Sequence, residues 1–483
     1  MRIIIASPEA VPYVKTGGLA DVAGALLNEF RGRGEQVSLV LPLYTGIREH
    51  FALHNTGRSF TLKMGDVSLA GAVWASDKSS VPAAYFIECE ELFGRPELYG
   101  TAHGDYHDNA LRFAFFSRAV FETCLIFNIR PDIIHCNDWQ TGLIPLYLKD
   151  FYRERPHFRK TATVMTIHNL GYQGLFTKLD LRYTGLGWEY FTVGKLEFHD
   201  MLNYLKAGLV YADLINTVSQ TYAREILTAE NGFGLDGLLR SRKAVLYGIT
   251  NGIDYAEFDP SRDRLIPACY SKDSLDNKTE CRRVLREQAG LENKERPVIG
   301  VVGRFAAQKG LDLIAGAIEA LVLMGVDLVI LGKGEEYYHE LLAGFAGQYP
   351  GRVSVTTGFR EDYARLIYAG SDFFLMPSRY EPCGLGQLIA LRYGSIPIAR
   401  RTGGLADTIT DYDSRTWHGT GFLFEDYSVD ALLAAVRRAL SVYRSPERFK
   451  CVLQDAMAGN FSWERAAGRY LMLYRKAVLR VAV

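Results

Sequence analysis

Short, nearly unbroken apolar runs recur along the chain, each followed by a stretch whose apolar residues fall three and four apart. The runs at 3–6, 37–41, 133–136, 163–167 and 215–218 form one group, and those at 298–302, 328–331, 353–356, 373–376 and 396–399 a second. A run apolar at every position is a strand buried on both faces, and a 3.6-residue period is a helix covering it. Strand–helix alternation predicts βαβ units and parallel sheets. Ten strands divide more naturally between two α/β domains than within one sheet. The break is expected at Asn251-Gly252-Ile253-Asp254, after a strand-like 245–250 and before 259–277, which is polar, contains Pro and lacks apolar periodicity. The expected domains are therefore 1–250 and 251–459. The last segment, 463–479, has a helical pattern carried by Ala466, Tyr470, Leu473 and Ala477.

Composition narrows the function. The 483 residues are 48% hydrophobic and 23% charged, as in an ordinary globular protein. Lys plus Arg and Asp plus Glu both number 55, a net charge of zero, which argues against broad nucleic-acid binding and makes any anion site local. No apolar stretch approaches the ~20 residues of a membrane span. Met1-Arg2 leads straight into Ile3–Ala6, too short an apolar run for a signal peptide, so no leader is expected. Seven scattered Cys without a C-x-x-C pair fit reduced thiols in the cytoplasm and no zinc knuckle.

The candidate chemistry lies where predicted strands end. Lys15-Thr16-Gly17-Gly18-Leu19-Ala20-Asp21-Val22 follows the first strand and opens a helix. Glycines admit close backbone approach, helix-start N–H groups attract anions, and Lys15 adds a full charge, which suits a phosphate. The plainer alternative is a glycine-rich βα turn with a surface lysine. G-x-G-x-x-G and G-x-x-x-x-G-K-[ST] are both absent, against NAD and P-loop chemistry. Arg304 and Lys309 flank the loop after the first strand of the second half, a fork and a point charge that suit a diphosphate. Pro377-Ser378-Arg379-Tyr380-Glu381-Pro382-Cys383-Gly384-Leu385 follows the strand at 373–376. Gly384 is expected to start a helix whose N–H groups hold phosphate; Glu381, which cannot, is expected to accept from sugar hydroxyls. Cys383 reads as a small buried residue rather than a nucleophile. His168 and Asn169 follow the strand at 163–167, and Asp138, after 133–136, is expected to cap a helix. Gly17-Gly18-Leu19-Ala20-Asp21 recurs at 403–407 after Arg401-Thr402, suggesting one nucleotide-type unit used twice. Two metal readings are weak: His103 and His107 flank Gly104, and Asp411-Tyr412-Asp413 reads as a solvated loop.

Together these residues resemble the bacterial glycogen synthase and plant starch synthase family. The likeness rests on K-T-G-G-L-A-D-V at 15–22, D-N-x-x-R-F at 108–113, I-H-N-L-x-Y-Q-G at 167–174, G-R-x-x-x-Q-K-G at 303–310, P-S-R-x-E-P-C-G-L at 377–385 and R-T-G-G-L-A-D-T at 401–408. It covers nearly the whole chain, in order. Asn137 stands in place of His, Gly171 in place of a frequent Ala, and Gly386 is a further small departure. The length resembles the bacterial form, without the extra N-terminal region of the plant enzymes.

The resemblance implies two Rossmann-like domains facing across a cleft, the GT-B fold, with 460–483 crossing back to the first domain. It implies transfer of glucose from ADP-glucose to the non-reducing end of an α-1,4-glucan with retention, without metal or cofactor, and places acceptor binding in the first domain and nucleotide-sugar binding in the second. Arg304 and Lys309 are then expected on the diphosphate, helped by Lys15, Gly18, Gly384 and Leu385; Glu381 on glucose hydroxyls; and His168 against the glucose. Asp138, Asn169, Cys383 and Thr402 are expected to line the donor site and Tyr99 to match a cleft aromatic; Phe359, by its position after the strand at 353–356, is expected to stack under adenine. The rival readings are a UDP-glucose-dependent retaining glucosyltransferase and a catalytically silent glucan-binding protein of the same fold. Neither nucleic acid nor a membrane is an expected partner, and the oligomeric state is left open.

Overall fold

A computed structural model describes residues 1–101, 104–292, 295–358 and 360–482. The chain divides into two compact units. Met1–Val218, Ala223–Ile249 and Trp463–Val483 make the first, and Ser219–Tyr222 with Thr250–Ser462 make the second.

In the first unit β1 (Arg2–Ala6), β2 (Gln36–Pro42), β3 (His54–Met64), β4 (Val67–Ala75), β5 (Ala84–Glu88), β6 (Ile133–Asn137), β7 (Ala162–Ile167), β8 (Leu214–Thr217) and β9 (Leu246–Gly248) form one sheet, ordered β9-β8-β7-β6-β1-β2-β5-β4-β3. From β9 to β5 every pairing is parallel, with Ile3 opposite Val37 on one side and Ile133 on the other. Strands β4 and β3 add antiparallel pairs at the edge. A search for unbroken apolar runs misses this hairpin, because its positions alternate between buried and exposed, as on a sheet edge with one wet face.

The second unit is wholly parallel: β10 (Val298–Phe305), β11 (Asp327–Gly334), β12 (Val353–Thr357), β13 (Phe373–Met376), β14 (Ile396–Arg400) and β15 (Phe422–Phe424), ordered β12-β11-β10-β13-β14-β15. The three-residue β15 also escapes the sequence pattern, being too short to register.

If only parallel strands are counted, the first sheet reads 3-2-1-4-5-6-7 and the second 3-2-1-4-5-6, the doubly wound order. The order reverses between β1 and β6 in one unit and between β10 and β13 in the other. Connections on either side of a reversal run to opposite faces, leaving a crevice at the strands' carboxyl ends.

Helices complete the layers. In α1 (Gly18–Gly32) Leu19, Ala20, Val22, Ala23, Leu26, Leu27 and Phe30 are buried on one stripe. α2 (Asn109–Ile126) is buried on nearly every side. α3 (Leu311–Leu323), α4 (Gly386–Arg392) and α5 (Gly403–Thr408) follow β10, β13 and β14. α6 (Trp463–Ala482) belongs to the first unit. Its Tyr474 hydroxyl bonds the buried His135 Nδ1 at 2.8 Å, and Asn216 Nδ2 donates to its Tyr470 hydroxyl at 3.0 Å. No helix among the described residues is long and apolar enough to cross a membrane.

At the amino end of β11, away from the crevice, Asp327 is fully buried. Arg286 and Arg352 each donate to it at 2.6 Å, and Arg296 lies at 3.6 Å.

Candidate active site

In the second unit the loops after β10 and β13 are laced together. Gly310 (φ 71°) ends a short 3-10 turn and starts α3; a Cβ there would lie 2.1 Å from the Pro377 carbonyl, so only glycine lets the two loops meet. Arg379 N donates to Gln308 O at 2.9 Å, and Gln308 Nε2 to Tyr380 O at 3.2 Å. Arg304 Nη2 reaches Gln308 Oε1 at 3.2 Å. Lys309 Nζ donates to Glu381 Oε2 at 2.6 Å, and Ser378 Oγ to the same oxygen at 3.0 Å. Glu381 is only 4% exposed, so this is a partly desolvated ion pair that holds the lysine's reach fixed.

The loop after β14 braces Glu381 from a third side. Gly404 N donates to Glu381 O at 3.0 Å, and Thr402, buried, stands at the start of α5. A Cβ on Gly403 would lie 1.9 Å from Glu381 O, and one on Gly404 2.0 Å from Cys383 O. The Gly-Gly of this turn therefore serves close backbone packing. It follows the fifth strand of its unit, whereas Gly17-Gly18 follows the first, so the two echoing sequences do not occupy equivalent places. The counterpart of the Lys15 loop is the Arg304–Lys309 loop. Asp407, the last residue of the echo, accepts from Ser219 Oγ and Thr221 Oγ1, both at 2.6 Å.

Helix α4 starts at Gly386 rather than at the expected Gly384. Gly384 has φ 74°, outside the helical region, and Gln387 Nε2 donates to Cys383 O and Gly384 O, holding the preceding turn open. Burial pushes the Cys383 thiol up to about 12, so it carries no thiolate near neutrality.

In the first unit three strand ends converge likewise. Glu9, 4% exposed, follows β1, and its carboxylate accepts from Thr16 N, from Thr16 Oγ1 at 2.9 Å, from Gly17 N at 3.3 Å and from the Tyr99 hydroxyl at 3.2 Å. It thereby shapes the Lys15 loop. Lys15, half exposed, pairs with Asp21 at 2.7 Å. Gly18 opens α1, and nothing lies within 4 Å of where a Cβ on Gly17 would sit. Past β6, Asp138 has φ 54°, and its carboxylate accepts His168 N at 2.7 Å. It makes no cap to the following 3-10 turn, contrary to expectation, because the positive φ turns the side chain towards β7. His168 Nε2 lies 2.9 Å from Asn137 Oδ1, and Asn137 Nδ2 donates to Ala6 O at 3.0 Å. Asn169 Oδ1 accepts Gly171 N at 3.0 Å and shapes the next turn.

Burial pushes the Asp138 carboxyl up to about 8, with the Glu9 carboxylate adding to the effect, and pushes the His168 imidazole down to about 3. Burial raises Glu9 too. The folded chain therefore keeps the Asp138 proton to about pH 8, whereas the unfolded chain releases it near pH 4. The folded state binds the extra proton between those values, so this group's contribution falls as pH rises across the window. Asp138→Asn, which tolerates positive φ, should remove that slope. Denaturant unfolding of both proteins at successive pH values checks it: the stability of the wild type minus that of the variant should fall from about pH 4 to 8 and then level. Parallel curves would refute the assignment.

Sequence reasoning assigned nothing to Glu9; the available signal was an acid three residues beyond an apolar strand that ends at a reversal. The D-N-x-x-R-F segment proves architectural. Asp108 pairs with Arg95 at 2.5 Å, while buried Arg112 bonds Leu92 O and Asn109 Oδ1, both at 2.7 Å, among the rings of Phe93, Tyr106 and Phe113. Asp411 is not the solvated loop residue expected: it accepts from Leu423 N and Arg438 Nη2, both at 2.8 Å. Phe359 and His103 lie outside the described residues. Among the described residues no three His, Cys, Asp or Glu side chains are grouped to hold a metal ion.

Comparison with known proteins agrees over the full length. The family model "Starch synthase catalytic domain" matches residues 2–241, and "Glycosyl transferases group 1" matches 285–451. Glycogen synthase of Syntrophotalea carbinolica is 48% identical over 480 residues, 99% of each chain. That of Thermodesulfovibrio yellowstonii is 45% identical over 490, covering 98% of this chain and 97% of its own. The catalytic domain of Starch Synthase IV from Arabidopsis thaliana, solved bound to ADP and acarbose, superposes with TM-score 0.90 at 32% identity, covering 99% of both chains. Sucrose-phosphate synthase from Thermosynechococcus elongatus, 19% identical with TM-score 0.63 over the whole of both chains, shares the fold. With near-complete coverage at this identity, the chain belongs to the glycogen synthase and starch synthase family of GT-B glycosyltransferases.

Proposed function

We propose that this enzyme transfers glucose from ADP-glucose to the non-reducing end of an α-1,4-glucan, with retention at C1. The observation that carries the reading is the pair of cations Arg304 and Lys309 at the end of β10, beside buried Glu381, where the strand order of the second unit reverses. The glycogen synthases among its relatives and the ADP-bound starch synthase support the donor and acceptor named.

In this reading the C1–O bond breaks as positive charge grows on the sugar and negative charge on the departing ADP. Arg304 and Lys309 are assigned to the diphosphate, with the N–H groups of Gly384 and Leu385. Lys15 and Gly18 are assigned to the same donor, and the open space beside Gly17 leaves its backbone approachable. Preplaced charges cost no reorganisation when the bond breaks, which is why they accelerate the reaction. Glu381 is assigned to glucose hydroxyls, and His168 to the transferred sugar. Asp138 and Asn169 shape the turn that presents His168; Cys383, whose carbonyl packs against Gly404, and Thr402, at the start of α5, are assigned to the lining of the donor site. Retention is assigned to internal return on one face of the sugar. Seven free cysteines fit a reducing compartment, and we assign the enzyme to the cytoplasm.

Purified enzyme, glycogen and either radiolabelled ADP-glucose or UDP-glucose test the reading. Label in precipitated polymer should give a kcat/KM at least about tenfold higher with ADP-glucose. A preference for UDP-glucose would replace the donor. Release of neither nucleotide would make the chain a glucan-binding protein.

A further inference from the structure

The hydrogen bonds of Asn137 admit a single arrangement of protons. The side chain is fully buried at the end of β6, between the carbonyl of Ala6 on β1 and the ring of His168 just past β7. A backbone carbonyl only accepts, so the amide must turn its NH2 to Ala6, at 3.0 Å. Its oxygen then faces His168 Nε2 at 2.9 Å, and an amide oxygen also only accepts. The proton between them belongs to the imidazole. Because burial holds the ring neutral near pH 7, Nδ1 is left with a lone pair and no hydrogen.

We infer that Asn137 is a positioning residue that locks His168 in the Nε2–H tautomer, so that the ring meets the transferred sugar at Nδ1 as a hydrogen-bond acceptor and never as a donor. The sugar must then offer a hydroxyl hydrogen at that point. The inference rests on the proposed place of His168 against the sugar. It also accounts for the departure at this position: a neutral imidazole in place of the amide could donate to Ala6 through one ring nitrogen and accept from His168 through the other, reproducing the same lock. An apolar side chain of similar size could not: it would leave Nε2–H buried without an acceptor, which drives the hydrogen to Nδ1 and turns that nitrogen into a donor.

The test uses the full chain labelled with [15N]histidine. Long-range proton–nitrogen spectra read each ring's tautomer, and His168 is assigned by the signal lost in His168→Gln. For the wild type and Asn137→His we expect a protonated Nε2 and a bare Nδ1 on His168, with kcat for glucose transfer within about threefold of each other. For Asn137→Leu we expect the hydrogen on Nδ1, since an unpaired buried Nε2–H is costly, and kcat lowered at least about tenfold, as when one hydrogen bond is lost. A wild-type Nδ1–H, or an Asn137→Leu enzyme that keeps Nε2–H or that moves the hydrogen to Nδ1 with wild-type kcat, would overturn the inference. If Asn137→Leu fails to fold, the wild-type spectrum decides alone. If the wild type moves no glucose from ADP-glucose, the functional reading fails while the spectra still report the tautomer.

Discussion

Lys309→Ala should lower kcat for glucose transfer from ADP-glucose to glycogen by about 10²–10³, or about 3–4 kcal/mol of transition-state stabilisation. The negative charge on ADP is greatest as the sugar departs, so a cation fixed beside it acts more on the transition state than on the bound donor. The loss should therefore appear mainly in kcat, with a smaller change in KM for ADP-glucose. The Lys309 side chain, about one quarter exposed, is held by Glu381, which is nearly buried. Its removal also leaves that carboxylate short of its cation, which by itself would loosen the turn after β13. Lys309→Ala combined with Glu381→Gln isolates the effect on stability. If the orphaned acid loosens the turn, the double variant regains the unfolding midpoint that Lys309→Ala loses; its rate stays low in either case, because Glu381 is itself assigned to the glucose hydroxyls. A Lys309→Ala enzyme within about tenfold of the wild type would remove the leaving-group role.

The second large effect falls on stability. Asp327→Ala should destabilise the second unit by about 3–5 kcal/mol, the cost of leaving buried charge uncompensated. Asp327 is the shared partner of Arg286 and Arg352, and Arg286 is itself only about 6% exposed. Its Nε has no protein partner among the described residues, and its other acceptors are the neutral carbonyls Glu292 O at 2.6 Å and Arg296 O at 3.1 Å, which do not balance the charge. Denaturant unfolding followed by a probe in the second unit would show the midpoint fall. The carboxylate lies at the amino end of β11, away from the carboxyl-end crevice. The variant that remains folded should therefore keep kcat within about twofold, as expected for distant, uncoupled sites. An unchanged midpoint would mean that the three arginines are solvated well enough to need no partner.

Much of the enzyme was legible before any coordinates. Strands buried on both faces must be apolar at every position, so 3–6, 298–302 and 373–376 announced themselves, and with them the two parallel sheets. The edge hairpin β3–β4 did not, since half of each strand faces water. Lys15, Arg304, Lys309 and Glu381 stood out as charges just beyond apolar strands, where a doubly wound sheet keeps its ligands. Their partners were not legible. Glu381 and Lys309 are 72 residues apart and meet because β13 lies beside β10. Glu9 meets Tyr99 across 90 residues, and Asn137 meets His168 across 31.

The chain's local pattern alone determined that the unbroken apolar segments are strands and which charges sit at their ends, because those properties depend on neighbours within a few residues. Only the tertiary structure decided that the second Gly-Gly turn packs on the Glu381 backbone, that Asp138 holds a neighbouring strand's amide, and that one amide sets the proton on His168. Each of these turns on a hydrogen bond or a close approach between strands paired side by side, and strand order is a property of the sheet as a whole.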